Sequence, residues 1–207
     1  EILQLLNHLG VSTEWIVKSS DYQSVMKHRL IAGHNHLMRL DHDPRPSKNA
    51  ALQDDVSEAV STLNLTGVNA VIVSDYNKLA VSSQLMRLLV EKAKSARIPI
   101  LVDPKNDVDY SLYQGVTVVK PNRKEASAVS QIPIQSVEDA EQAAKLICDK
   151  FDIAVATISL DKDGIYIREK GTTSGKLVPT VAKDVFDVVG AGDMVISILG
   201  MLIGSQV

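Results

Sequence analysis

Val116-Thr-Val-Val-Lys-Pro-Asn-Arg-Lys-Glu125 holds the unit from which the fold can be read. Its first half is a short, nearly continuous apolar run, as expected of a strand buried on both faces of a parallel sheet. Its second half is polar and opens a helix, with Asn122 placed as the N-cap and Glu125 three residues on to complete a capping box. Similar apolar runs occur at Val71-Ile72-Val73, Ile98-Pro-Ile-Leu-Val102 and Ile153-Ala-Val-Ala-Thr157. Between the first two, Ser82 or Ser83 can cap a helix whose Leu85, Leu88, Leu89 and Ala93 share one face. Before the last, Val137, Ala140, Ala143, Ala144 and Ile147 form a second stripe of the same kind. From about Val68 onward, alternating strands and amphipathic helices predict an α/β fold: a mostly parallel sheet flanked by helices. Gly164 to Arg168 and Lys176 to Val181 read as an antiparallel pair ahead of a final apolar helix.

Residues 11–47 differ in kind. Trp15-Ile-Val-Lys18, Ser24 to Ala32 and His34 to Asp41 read as strands of a small separate sheet that ends at the turn-rich Asp43-Pro-Arg-Pro-Ser47. The expected division is therefore a core of residues 1–10 and 48–207 with a β lid or dimerisation sheet at 11–47. A few strands carrying Trp15, Ile16, Val25, Leu30 and Leu37 cannot bury both faces alone, which predicts a homodimer through this sheet. His34, His36 and His42 beside Asp41 and Asp43 are read as its polar face rather than as a metal site.

The 207 residues suit one domain, or one domain with a small appendage. A net charge of −3, from 22 basic and 25 acidic residues, argues against nucleic acid and anionic membrane as partners and in favour of a small molecule. The one cysteine, Cys148, excludes an intrachain disulfide and reads as a buried small apolar residue. The run Met194 to Ile203 is too short to span a bilayer, and no secretory signal opens the chain, so the cytoplasm is the expected compartment.

Each buried strand is followed by polar residues, where ligands bind in open α/β sheets. Ser74-Asp75-Tyr76-Asn77-Lys78 follows the first, Asp103-Pro104-Lys105 the second and Lys120-Pro121-Asn122-Arg123-Lys124-Glu125 the third. The final helix is entered through Asp187-Val-Val-Gly190-Ala191-Gly192-Asp193. Glycines let a backbone approach a ligand, and the free N–H groups of a helix start hold developing negative charge. An acid there can take a proton from an attacking hydroxyl, which suits phosphoryl transfer. A dinucleotide-binding turn fails at Val195, where the third glycine of its pattern belongs, and no P-loop occurs.

The order Ser-Asp-Tyr-x-Lys, Asp-Pro-Lys, Lys-Pro-Asn-x-x-Glu and Gly-Ala-Gly-Asp resembles the ribokinase-like (PfkB) carbohydrate kinases. Within them it is most similar to the bacterial branch acting on D-glycero-D-manno-heptose 7-phosphate. The similarity runs from Lys27-His-Arg29 and Asn35-x-x-Leu-x-Arg39-Leu-Asp41 to the final helix. It implies ATP-dependent phosphoryl transfer to a sugar-phosphate hydroxyl, with ATP and Mg²⁺ required. Asp193 would be the base, and the backbone of Gly190, Ala191 and Gly192 the anion hole. Asn122 and Glu125 would organise Mg²⁺ and phosphates, mostly through water. Lys105 and Lys120 would neutralise phosphate charge. Asp75, Tyr76 and Lys78, with the Asp103 to Lys105 loop, would meet the substrate, and Ser159, Asp161 and Gly164 would lie near the nucleotide.

Three positions depart from the family pattern: Asp161 stands for glycine or serine, Leu79 for glycine and Val189 for threonine. A carboxylate at 161 is unfavourable beside a triphosphate unless it points away. Because the chain opens on Glu1 and lacks the family's opening sugar-binding segment, its closing helices and the nucleotidyltransferase half of bifunctional members, it is expected to be a fragment with little turnover of its own. The alternatives are another PfkB sugar or sugar-phosphate kinase, or a non-catalytic piece that binds nucleotide or self-associates.

Overall fold

The computed structural model describes residues 2–18, 25–33, 35–42, 49–78, 80–105, 108–181 and 190–205. They group into two compact units, one of residues 1–64 and 78–85, the other of 65–77 and 86–207.

In the first unit, helix α1 (Ile2–His8) precedes an antiparallel pair, β1 (Met26–Ala32) and β2 (Asn35–His42), followed by helix α2 (Asn49–Thr62). The register sets Leu30 opposite Met38 and His28 opposite Leu40, so one face of the pair is apolar apart from the packed rings of His28 and His42. The other face sets Lys27 against Asp41 and Arg29 against Arg39. The strands expected near Ser24 to Ala32 and His34 to Asp41 are present, whereas Trp15 lies in a turn and Ile16 to Lys18 in coil. No strand forms at 15–18 because nothing in the described residues pairs with that stretch. His34, Asp43 and the Asp43 to Ser47 turn lie outside the described residues, as do Leu79 and Asp187 to Val189. Helices α1 and α2 had no counterpart in the sequence reading.

The second unit is the expected sheet. Strands β3 (Val71–Ser74), β4 (Ile100–Asp103), β5 (Val118–Val119) and β6 (Val155–Ser159) are parallel neighbours in that order. Antiparallel β7 (Ile165–Glu169) and β8 (Lys176–Val178) extend it beyond β6. Helices α3 (Ser83–Ala96), α4 (Arg123–Ser130), α5 (Val137–Phe151) and α6 (Ala191–Gly204) complete the fold. Three of the four apolar runs, those from Ile98, Val116 and Ile153, begin two residues before the hydrogen-bonded strands because hydrophobicity marks burial, while pairing marks the strand.

Leu101 and Val118 are fully buried against Ile196 of α6, with Ala70, Val155, Leu199 and Ile203 around them. Each such side chain contributes about 1.5–3 kcal/mol on burial. Two glycines let α6 lie this close: a Cβ on Gly200 would sit 2.7 Å from Ile72 Cδ1, and one on Gly204 2.9 Å from the Asn69 carbonyl oxygen. Ser82 caps α3 by accepting from the Leu85 N–H at 3.1 Å. Leu85, Met86, Leu89 and Ala93 of that helix are buried, as are Ala140, Ala143, Ala144, Ile147, Cys148 and Phe151 of α5. Val137, expected in the second stripe, stays exposed at the first position of α5.

Candidate active site

Three polar segments leave the carboxyl ends of adjacent parallel strands. The backbone knits them together: the Asp75 N–H donates to the Asp103 carbonyl at 3.0 Å and the Lys120 N–H to that of Val102 at 2.8 Å. Their side chains form a buried polar floor of Asp75, Asp103, Lys120 and Glu125. Lys120, only 3 % exposed, places its ammonium 3.0 Å from the Asp103 carboxylate. Burial of both charges costs several kcal/mol per ion unless they are paired, which the contact supplies. Lys120 is therefore a buried, paired cation rather than a free surface one.

Helix α6 begins on this floor. A Cβ on Gly192 would lie 3.4 Å from both Asp103 Oδ2 and Lys120 Nζ, so glycine lets the helix start rest on the ion pair. Gly190, the N-cap, has φ +78°, a left-handed conformation that favours glycine, and it offers no side-chain cap. The N–H groups of Ala191, Gly192 and Asp193 open the helix, where such groups have no partner within it. Asp193 is exposed in this first turn, and its Oδ1 accepts from the Tyr76 hydroxyl at 3.0 Å. Above Tyr76, Lys105 Nζ lies 4.7 Å from the ring centroid. Asp75, Tyr76, Asp103, Lys105, Lys120 and the Gly190 to Asp193 turn are thus brought together. Lys78 groups with the other compact unit.

The capping box is formed as expected: Asn122 Oδ1 accepts from the Glu125 N–H at 2.9 Å, and Glu125 Oε2 accepts from the Asn122 N–H at 2.8 Å. Burial raises the Glu125 carboxyl above its ordinary value, against the opposing pull of the Asn122 N–H and the Lys105 and Lys120 charges. Among the described residues no group of three or more acidic, histidine or cysteine side chains is placed to hold a metal ion. Mg²⁺ keeps several waters and takes one or two carboxylates with substrate phosphates. Glu125, with Asn122 beside it, fits that outer role.

The residues expected near a nucleotide behave differently. Asp161 has φ +54°, which explains why glycine suits this position, and its carboxylate lies 2.8 Å from Arg123 Nε. Arg123 also reaches Asp163 at 2.6 Å and the carbonyls of Leu160 and Ile134. The added carboxylate is therefore neutralised by a neighbouring guanidinium. Gly164 is required by the backbone, since a Cβ there would stand 2.1 Å from the Val178 carbonyl oxygen. Ser159 bridges to Asn122, tying β6 to the start of α4.

Two participants were missed in the sequence. Tyr113, fully buried, donates to Asp75 Oδ2 at 2.7 Å. Arg123 was seen only as part of a polar run. Tyr113 lies 38 residues from its partner and no local pattern links them; Arg123 was discoverable from the paired acids at 161 and 163.

A parallel sheet whose strands end in charged loops beneath a Gly-Ala-Gly-Asp helix start defines a class of phosphoryl-transfer enzyme. Residues 1–199 match the pfkB family carbohydrate kinase profile, and the chain belongs to that family. It is 35 % identical over 206 residues to the bifunctional protein HldE of Campylobacter fetus subsp. fetus, covering 100 % of this chain and 43 % of that protein. HldE of Geobacter sulfurreducens is 33 % identical over 210 residues, covering 100 % and 41 %. The chain thus spans about two fifths of the length of these relatives. Among solved structures, Escherichia coli phosphofructokinase-2 in complex with fructose-6-phosphate superposes with a TM-score of 0.72 at 18 % identity, over 99 % of this chain and 66 % of that one. Arabidopsis thaliana ribokinase complexed with ribose and ATP gives 0.72 at 16 %, over 95 % and 61 %. At such identities the likeness is one of fold, and the ribokinase-like α/β architecture expected from the sequence is the one found.

Proposed function

We propose that the protein transfers the γ-phosphoryl group of ATP to a hydroxyl of a sugar phosphate, with D-glycero-D-manno-heptose 7-phosphate as acceptor. The observation that carries the reading is Asp193 in the first turn of α6, at the carboxyl ends of β3, β4 and β5, beside N–H groups that can receive an anion. The whole-chain match to HldE proteins supports the choice of sugar.

In this reading Asp193 accepts the proton of the acceptor hydroxyl as its oxygen attacks the γ-phosphorus. The bond from that phosphorus to the bridging oxygen breaks, and ADP leaves. The N–H groups of Ala191, Gly192 and Asp193 steady the transferring phosphoryl, and the Lys120 charge beneath Gly192 reinforces them. Lys105 offers a second cation toward the phosphates. Glu125 and Asn122 would hold the water shell of Mg²⁺, which when bound would supply charge neutralisation to the phosphates. Asp75 and Asp103 shape the floor. Ser159, Asp161 and Gly164 border the nucleotide. The core at 1–10 and 48–207 carries the chemistry, and the sheet within 11–47 joins two copies. An ATP-dependent reaction suits the cytoplasm, where ATP is supplied. Among the described residues no helix is long and apolar enough to cross a membrane.

Asp193→Asn in the complete enzyme tests the assignment. Asparagine keeps size and shape, so the melting temperature should hold while kcat falls by about 10²- to 10⁴-fold. ADP release measured across heptose 7-phosphate, fructose 6-phosphate and ribose should favour the heptose phosphate. A loss below about fivefold would mean that Asp193 is only a helix-terminal charge.

A further inference from the structure

Tyr76 is 41 % exposed, yet its hydroxyl is engaged with Asp193 at 3.0 Å. An exposed tyrosine on a loop after a strand has many rotamers open to it, and this one is held from below. Its predecessor, Asp75, is buried and held at its N–H and at both carboxylate oxygens: the N–H donates to the Asp103 carbonyl at 3.0 Å, Oδ2 accepts from Tyr113 at 2.7 Å and Oδ1 accepts from the Asn77 N–H at 2.7 Å. That last contact closes an Asx-type turn around Tyr76, with Asn77 at φ +52°. Tyr113 cannot yield, since it is fully buried with its ring edge-on to Tyr110. The Lys105 ammonium over the Tyr76 ring adds a contact from the side.

A carboxylate has about four lone-pair sites on two oxygens, and the phenol uses one of them on Oδ1. An aspartate in the exposed first turn of a helix would otherwise turn about χ1 and χ2. We propose that Tyr76 is the positioning residue of the base, fixing Asp193 through Oδ1 so that Oδ2 is presented to the acceptor hydroxyl. The chain of support runs from Tyr113 through Asp75 and the turn to Tyr76, and ends on the carboxylate. This rests on the reading of Asp193 as the base, and it gives Tyr76 a different task from lining the acceptor crevice. A misplacement of about 1 Å in a reacting group costs on the order of 10²-fold in rate, so loss of one tether is worth about tenfold.

Tyr76→Phe removes the hydroxyl and keeps the ring beneath Lys105. The expected result is a kcat lower by about tenfold, with KM for the sugar phosphate and for ATP changed less than about twofold and the melting temperature unchanged. A readout independent of turnover is the titration of Tyr76 followed by NMR of ¹³Cζ-labelled tyrosine, with Tyr76→Phe assigning the signal. Burial, the hydrogen bond to Asp193 and the nearby carboxylates hold this phenol above its ordinary 10.0, against a Ser74 contact that lowers it. Asp193→Asn should bring its midpoint down. Unchanged kcat in Tyr76→Phe beside a collapsed kcat in Asp193→Asn would overturn the positioning role and leave the base assignment standing. A raised KM with unchanged kcat would make Tyr76 a substrate contact, which also overturns it. An Asp193→Asn enzyme with full turnover would remove the base reading and this proposal with it, whatever Tyr76→Phe does.

Discussion

Glu125 shows how one side chain can serve two ends. Its carboxylate closes the N-terminus of α4, and it is only 5 % exposed. Burial raises its pKa above the ordinary 4.5, so the folded state holds the Glu125 proton more tightly than the unfolded chain does. The stability this group contributes is therefore full below pH 4.5 and is lost as pH rises through the folded value. Glu125→Gln keeps an acceptor for the Asn122 N–H and removes the titration. Urea unfolding from pH 4.5 to neutrality should show the wild type losing stability relative to Glu125→Gln as pH rises. A constant difference would mean that Glu125 titrates normally. Asp161 makes the converse point at the same scale. Read linearly it is an unwelcome carboxylate, whereas in the fold Arg123, 38 positions earlier, takes up its charge.

Among the elements, α5 is the most fully specified by local sequence. Ser136 Oγ accepts from the Asp139 N–H at 3.1 Å, and Asp139 Oδ2 accepts in return from the Ser136 N–H at 2.9 Å. The helix then buries six residues, from Ala140 to Phe151. Its C-cap, Asp152, takes a left-handed φ of 53° and ion-pairs with Lys170. Ser136→Ala removes the cap and should cost about 1 kcal/mol. For a protein of this size that lowers the melting temperature by about 2–4 °C, which circular dichroism would detect. An unchanged melting temperature would show that packing of the buried face holds the first turn without its cap. Glu141 of the same helix receives the Tyr166 hydroxyl, the Arg168 guanidinium and the Gly175 N–H, and so binds α5 to β7 and the turn leading to β8.

At the scale of the whole molecule, the β1–β2 pair stands out because among the described residues it has no third strand. Two strands alone are marginal in water. Met26, Leu30, Ile31, Leu37, Met38 and Leu40 are all exposed on it, a concentration of apolar surface that a second copy would cover. Light scattering at micromolar concentration should report a homodimer. Leu30→Glu, placing a charge opposite Met38, should shift it to monomer with the far-ultraviolet spectrum unchanged. A wild-type monomer at high micromolar concentration would overturn self-association through this sheet.

By itself the sequence determined the layered α/β plan, the order of the parallel strands' loops, the Asn122–Glu125 capping box and the Gly190 to Asp193 turn. These are signals of short range: hydrophobic period, side-chain caps and the backbone freedom of glycine act over a few residues and survive in a linear reading. Tertiary structure alone decided which partners meet. The Asp103–Lys120 pair, Tyr113 beneath Asp75, Tyr76 on Asp193 and Arg123 across from Asp161 join residues that are 17 or more positions apart. It also decided that Trp15 to Lys18 forms no strand, although its composition favours one, because a strand exists only where a neighbour completes its hydrogen bonds. Such contacts arise when the sheet brings separate carboxyl ends side by side, and burial then requires each charge to find a hydrogen-bonding or opposite partner.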